Sequence, residues 1–262
     1  MPVLVHAAHR PLGRVLARRL KEEGGQVRAT ASAGVALLRA EGVHTAVCDP
    51  DDEGVLEAAL TQVHTLVVLL GGLGVADVAS VRAEGLAAAR AAEGAGIERA
   101  VLVTVAGADV AAADDLRRAH GEVARAFAEL PMPSVELRTG LVDTPALRDL
   151  LITAGLPEEL RGRAVAPVSP GALVELIVAV DGARSSAATG HLVLAADGPT
   201  RRPLHTLLDA PTSGMRLTGR QVPSAAAREA LLARLAGPWW SDDPQVPDGW
   251  ALLGVVTDRG DS

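Results

Sequence analysis

Six short, largely apolar runs alternate with five stretches of helical periodicity over the first 140 residues, and this alternation constrains the fold more than any other feature. The runs fall at 3–5, 26–31, 44–48, 65–70, 100–104 and 135–138. Several of them, such as Thr65-Leu66-Val67-Val68-Leu69-Leu70, lack the apolar/polar alternation of a half-exposed strand. A strand of that kind is buried on both faces, as in a parallel sheet with helices above and below. The helical stretches supply the covering layers. Leu12, Val15, Leu16 and Leu20 share one helix face before Gly24-Gly25 ends it. A second apolar face comprises Val55, Leu56, Ala59, Leu60 and Val63, with Asp51 or Asp52 as the cap, and a third comprises Val123, Phe127 and Leu130. Further helices are expected over 34–41 and 77–94.

The expected class is therefore α/β: a Rossmann-like, doubly wound parallel sheet. The chain reads as a single domain, 1–262, with a nucleotide-binding core over 1–150. The remainder, 151–262, reads as a small C-terminal region covering a substrate. It holds expected helices at 172–180 and 224–236, a strand at 191–195, and Trp239, Trp240 and Trp250 among prolines and aspartates. These tryptophans fit satellite packing, an apolar lid or a subunit interface. A chain of 26.8 kDa buries roughly 70% of its unfolded surface, ample for one large core.

Composition removes whole classes of function. The formal charge is −7 without a basic tract, which argues against nucleic acid or an anionic membrane as the main partner. The apolar runs are far shorter than the roughly 20 residues a membrane helix needs. No secretory leader is recognisable at the start, and Cys48 is the one cysteine, so the expected location is cytoplasmic. The chain has no tyrosine, and Lys21 is its one lysine; the other 24 basic residues are arginine. Any mechanism that requires a tyrosine hydroxyl is excluded. The histidines and Cys48 show no metal-ligand spacing, so no metal is expected.

A dinucleotide fold runs its first strand into a glycine-rich turn that opens a helix, and the pyrophosphate lies on that turn. The corresponding segment is Val5-His6-Ala7-Ala8-His9-Arg10-Pro11-Leu12-Gly13. At these residues the chain resembles the atypical short-chain dehydrogenase/reductase superfamily, in its NmrA-like or NAD(P)H-binding branch, over about residues 1–200. That family's turn reads Gly-x-x-Gly-x-x-Gly, and its three glycines correspond to Ala7, Arg10 and Gly13. The resemblance implies a cofactor-binding set of Ala7, His9, Arg10, Pro11, Leu12, Gly13, Asp49, Leu70, Gly71 and Gly72. Asp49 would contact the adenine edge, and Leu70-Gly71-Gly72 would border the ribose. Arg10 either pairs with a phosphate or fills the phosphate site. The second strand is followed by no acid for a ribose diol, so NADP is the expected form if a dinucleotide binds.

The same family uses Ser, Tyr and Lys, the last two four residues apart on one helix. Here His120 takes the lysine place and Leu116 the tyrosine place. Thr104-Val105-Ala106-Gly107-Ala108 resembles the serine segment, and Leu137-Arg138-Thr139-Gly140 the turn beside the nicotinamide. The expected catalytic residues are His120, Thr104 and Asp143; Val105, Ala106, Leu116, Thr139 and Gly140 are expected to line a substrate pocket. His120 is either a structural core histidine or a new acid/base, since imidazole titrates near neutrality. Two functions follow. One is a degenerate member, acting as a non-redox enzyme of the cyclase, dehydratase or isomerase kind or as a ligand-binding auxiliary or sensor protein. The other is an NADPH-dependent oxidoreductase with a non-tyrosine proton donor. Either way the expected partner is a small, apolar ligand, and the chain is a monomer or homodimer.

Overall fold

The structure is a computed structural model that describes residues 1–73, 78–105, 107–109, 111–112, 114–143, 148, 152, 158–162, 164–165, 168–182, 190–194 and 202–203. In chain order the main elements are β1 (Pro2–Val5), α1 (Pro11–Glu22), β2 (Gln26–Ala31), α2 (Val35–Ala40), β3 (His44–Val47), α3 (Glu53–Leu60) and β4 (Thr65–Leu69). Then come α4 (Val78–Ala95), β5 (Arg99–Val105), α5 (Asp115–Ala128) and β6 (Ser134–Thr139). Beyond residue 150 lie α6 (Glu158–Arg161), β7 (Ala164–Val165), α7 (Pro170–Gly182), β8 (Gly190–Leu194) and β9 (Arg202–Pro203). The expected helix at 224–236, the three tryptophans and Ala106 lie outside the described residues.

Seven strands form one parallel sheet in the order β3-β2-β1-β4-β5-β6-β8, and β7 pairs with β9 in a separate antiparallel ribbon. This is the doubly wound order, reversing between β1 and β4. Val5 at the end of β1 stands between Ala29 of β2 and Val67 of β4. The carboxyl ends of β1 and β4 thus frame the crevice where such sheets hold ligands.

Alternate strand residues face opposite layers, as the pleat requires. Val3, Val5, Val67, Leu69, Val101, Val103, Val135 and Leu137 pack with Leu12, Leu16 and Leu20 of α1, Leu38 of α2, and Leu173 and Ile177 of α7. Leu4, Leu66, Val68, Ala100 and Leu102 pack on the other side with Leu56, Leu60, Val81, Ala88, Leu116, Val123 and Phe127 of α3, α4 and α5. Burial on both faces is the physical reason for the apolar strand sequences.

Local chemistry sets the helix starts. Pro11, whose missing N–H would be unsatisfied there anyway, opens α1. Asp52 rather than Asp51 caps α3, accepting from the Val55 amide at 3.1 Å. Asp114 caps α5 through the Arg117 amide at 2.9 Å. One expectation needs correction. Val55 is not on the buried face of α3; it is 37% exposed, and Leu56 and Leu60 carry the packing. Past residue 150, α7 packs in the α1 layer and β8 extends the main sheet. Among the described residues no helix is long and apolar enough to cross a membrane.

Candidate functional site

The turn between β1 and α1 keeps the backbone of a glycine turn with only the last of its three glycines, Gly13. Ala7 sits in the left-handed region at φ 52°, where glycine is the natural occupant. Its N–H donates to Thr30 Oγ1 at 3.1 Å, and the Ala8 N–H donates to the Thr30 carbonyl at 2.8 Å. Gly13 is required by close packing: a Cβ there would lie 2.9 Å from the Ala8 Cα. The first turn of α1, including Leu12 and Gly13, receives no side-chain cap.

Arg10 decides what this turn can hold. It lies at the N-cap of α1, and its guanidinium reaches across the β1/β4 crevice. There its two terminal nitrogens grip both oxygens of Glu84 on α4, at 2.6 and 2.8 Å. One of them also lies 3.4 Å from the Leu69 carbonyl at the end of β4. Glu84 is 2% exposed and Arg10 20%. Of the two roles open to Arg10, the structure shows the guanidinium turned to protein and spanning the crevice.

His6 lies beneath this pair, fully enclosed. Its Nε2 is 2.9 Å from the Pro50 carbonyl, an acceptor only, so Nε2 carries the proton and donates. Nδ1 then accepts from the Thr30 hydroxyl at 2.9 Å. Burial holds the His6 pKa below its ordinary value, outweighing the opposite pull of Glu84, whose Oε1 is 3.9 Å away. His9 is half-buried, accepts from the Ser32 N–H at 3.4 Å, and is also lowered, by burial first and by the Arg10 charge second.

The other expected cofactor residues are spread around this crevice. Asp49 is exposed just past β3. Leu70, Gly71 and Gly72 form a 3₁₀ turn after β4, with Leu70 in the core and Gly71 at φ 56°. Arg28, on β2 and outside that set, donates to the Thr61 carbonyl at 2.6 Å. Cys48 is buried, and desolvation with nearby Asp52 pushes its thiol up to about 11, so it stays protonated at neutral pH.

The expected catalytic residues fall into separate settings. Thr104 is fully buried and donates to Glu136 Oε1 at 2.6 Å, and Glu136 pairs with Arg138 at 3.1 Å. Strand alternation puts these three residues toward α5, which carries His120 and, one turn earlier, Leu116, both enclosed. Asp143 follows β6 and is gripped by Arg148 through two contacts of 2.7 Å, which raise the Arg148 pKa. Val105 and Thr139 pair in register and face the α1 and α7 layer, the opposite side from Leu116. Thr139 bonds the Gly140 carbonyl at 3.4 Å. The expected pocket residues therefore divide between the two faces of the sheet.

Sequence reasoning missed Glu84, Glu136 and the role of His6. Glu84 had a signal: it interrupts the stripe Val81, Ala88 and Ala92 on an alanine-rich helix. A carboxylate on a core-facing stripe requires a partner.

No family model and no curated protein matches the chain. Solved structures do. The triphenylmethane reductase of Citrobacter sp., complexed with NADP(H), aligns at TM-score 0.63 and 18% identity over 77% of this chain and 72% of that one. The NADPH-dependent quinone oxidoreductase of Escherichia coli, complexed with NADPH, aligns at 0.63 and 19% over 79% and 72%. A nucleoside-diphosphate-sugar epimerase of Staphylococcus aureus aligns at 0.60 and 13% over 74% and 71%. These likenesses establish the fold as the Rossmann-like sheet that such reductases and epimerases share.

Sheets of this kind commonly hold a dinucleotide at this crevice, and the residues present here do not fit a diphosphate in the usual pose. The middle position of the turn carries a side chain across the crevice, and the crevice wall holds the Glu84 carboxylate.

Proposed function

We propose that the chain is an atypical short-chain dehydrogenase/reductase-type protein that has left tyrosine-dependent carbonyl reduction. It acts as a non-redox enzyme of the cyclase, dehydratase or isomerase kind, or as a ligand-binding auxiliary protein. The observation that carries this reading is the missing proton relay. The chain has no tyrosine, and Leu116 stands enclosed at the tyrosine place. The one lysine, Lys21, is at the far end of α1, bonded to the Gly42 carbonyl at 2.5 Å. The polar groups on the α5 side are instead Thr104, Glu136, Arg138 and His120, which suit proton movement without hydride transfer. The ligand is a small molecule, in keeping with the neighbours' nucleotide complexes.

The test is consumption of NADPH and NADH by purified protein against a panel of quinones and aldehydes. No turnover above the uncatalysed rate is expected. Steady turnover with either nucleotide overturns the reading. It would favour the second one, an NADPH-dependent oxidoreductase with a different proton donor. That second reading rests on the retained shape of the turn at Ala7 and Gly13. It expects about 2.7 kcal/mol of stabilisation by NADPH at a hundred times its dissociation constant.

A further inference from the structure

We propose that Arg10 and Glu84 form an internal lock on the crevice, their ion pair standing where a nucleotide diphosphate would have to lie. The position follows from topology. The crevice lies between the carboxyl ends of β1 and β4, and the bond runs across it, from the N-cap of α1 to α4 on the opposite helical layer, touching the Leu69 carbonyl on the way. Two chemical consequences follow. The guanidinium fork is spent on both Glu84 oxygens, so it is not available as a phosphate clamp. The carboxylate, 2% exposed, has Arg10 as its charge partner across the crevice. An anion that drew Arg10 away would leave Glu84 enclosed beside a neutral His6, a buried charge without its cation. The lock therefore favours ligands without a diphosphate. Removing it opens a cradle whose backbone still has the glycine-turn shape at Ala7 and Gly13.

This inference goes beyond the proposed function and does not depend on it. The NADPH turnover of the unaltered chain tests that function; the change in affinity on cutting the pair tests the lock. Calorimetric titrations of the full chain would use NADPH and ADP-ribose, with adenosine as the phosphate-free control. The variants are Glu84→Gln and the charge-free combination Arg10→Gly with Glu84→Gln, each checked by its melting transition. The combined variant is expected to bind NADPH and ADP-ribose at least about tenfold more tightly than the unaltered chain, with adenosine unchanged. Equal or weaker binding of the two diphosphates overturns the lock, and weaker binding would mark Arg10 as a phosphate clamp. A measurement on the unaltered protein decides the matter if the variants fail to fold. With millimolar pyrophosphate, the Arg10 Nε–H resonance is expected to stay in place, and a saturable shift overturns the proposal.

Discussion

At the scale of single residues, the turn was legible and its contents were not. The run Arg10-Pro11-Leu12-Gly13 announces a helix start after a strand, and Gly13 proves to be fixed by its 2.9 Å approach to Ala8. Ala7 stands at a glycine position of the turn, and its φ of 52° shows the backbone holding that shape. The destination of Arg10 was hidden because Glu84 is 74 residues further on. His6 carries a prediction. The folded chain holds it neutral, with Nδ1 accepting and Nε2 donating. A second proton on Nδ1 would remove the acceptor to which the Thr30 hydroxyl now donates. In the unfolded chain the ring titrates near its ordinary value of about 6.5. Above that pH neither state binds the extra proton, and His6 adds no pH dependence. As pH falls through it toward the lower folded value, only the unfolded state gains a proton, so stability drops, by up to about 1.4 kcal/mol per pH unit. Urea denaturation from pH 7.5 down to about 5, before most carboxylates titrate, should show this slope reduced in His6→Gln. His9, also lowered, contributes to the slope that remains. An identical slope in the variant would rule His6 out as its source.

At the scale of elements, strands were easier to read than helix faces. A strand buried on both sides has a continuous apolar sequence, so its register matters little to recognition. A helix face depends on which neighbour it meets, and this separates exposed Val55 from enclosed Leu56 on α3. The α4–α5 contact shows how tightly such a choice is enforced. Gly85 of α4 sits against α5 so closely that a Cβ would lie 2.4 and 2.5 Å from the two methyls of Val123, and 3.0 Å from Leu70. Val123 is fully buried, with neighbours on every side. Gly85→Ala should therefore destabilise the protein by about 1–3 kcal/mol through overpacking, despite the better helix propensity of alanine. Val123→Ala removes both obstructing methyls. The double variant should accordingly be little less stable than Val123→Ala alone, a coupling that a double-mutant cycle in urea would read directly. Additive losses would show that the two helices shift apart to admit the methyl.

At the scale of the whole molecule, the strand order follows from general rules: right-handed crossovers and a reversal beside the first strand. The extent of the core did not follow. Between β6 and α7 the sequence has no sustained period, and α7 is apolar on most of its surface, which masks its docking face. The structure ties this late segment in at several points. Val180 accepts from Arg99 at 2.8 Å, Glu175 pairs with Arg19 of α1 at 2.7 Å, and Leu192 of β8 stands beside Leu137 of β6. Leu173, Val174, Leu176, Ile177 and Val180 are all buried in the α1 layer. At about 1.5–3 kcal/mol each, an upper bound against a compact unfolded state, they contribute roughly 8–15 kcal/mol. That equals the whole net stability of an ordinary domain, about 5–15 kcal/mol. A fragment of residues 1–150 would also leave β6 with an unpaired edge. It should show no cooperative melting transition and should aggregate or bind hydrophobic dye, while the 262-residue chain melts cooperatively. A fragment that melts sharply within a few degrees of the full chain would mean that α7 and β8 decorate a self-sufficient core. In that case the Arg19–Glu175 and Arg99–Val180 contacts would be dispensable, because the sheet would already be stable without the layer they fasten.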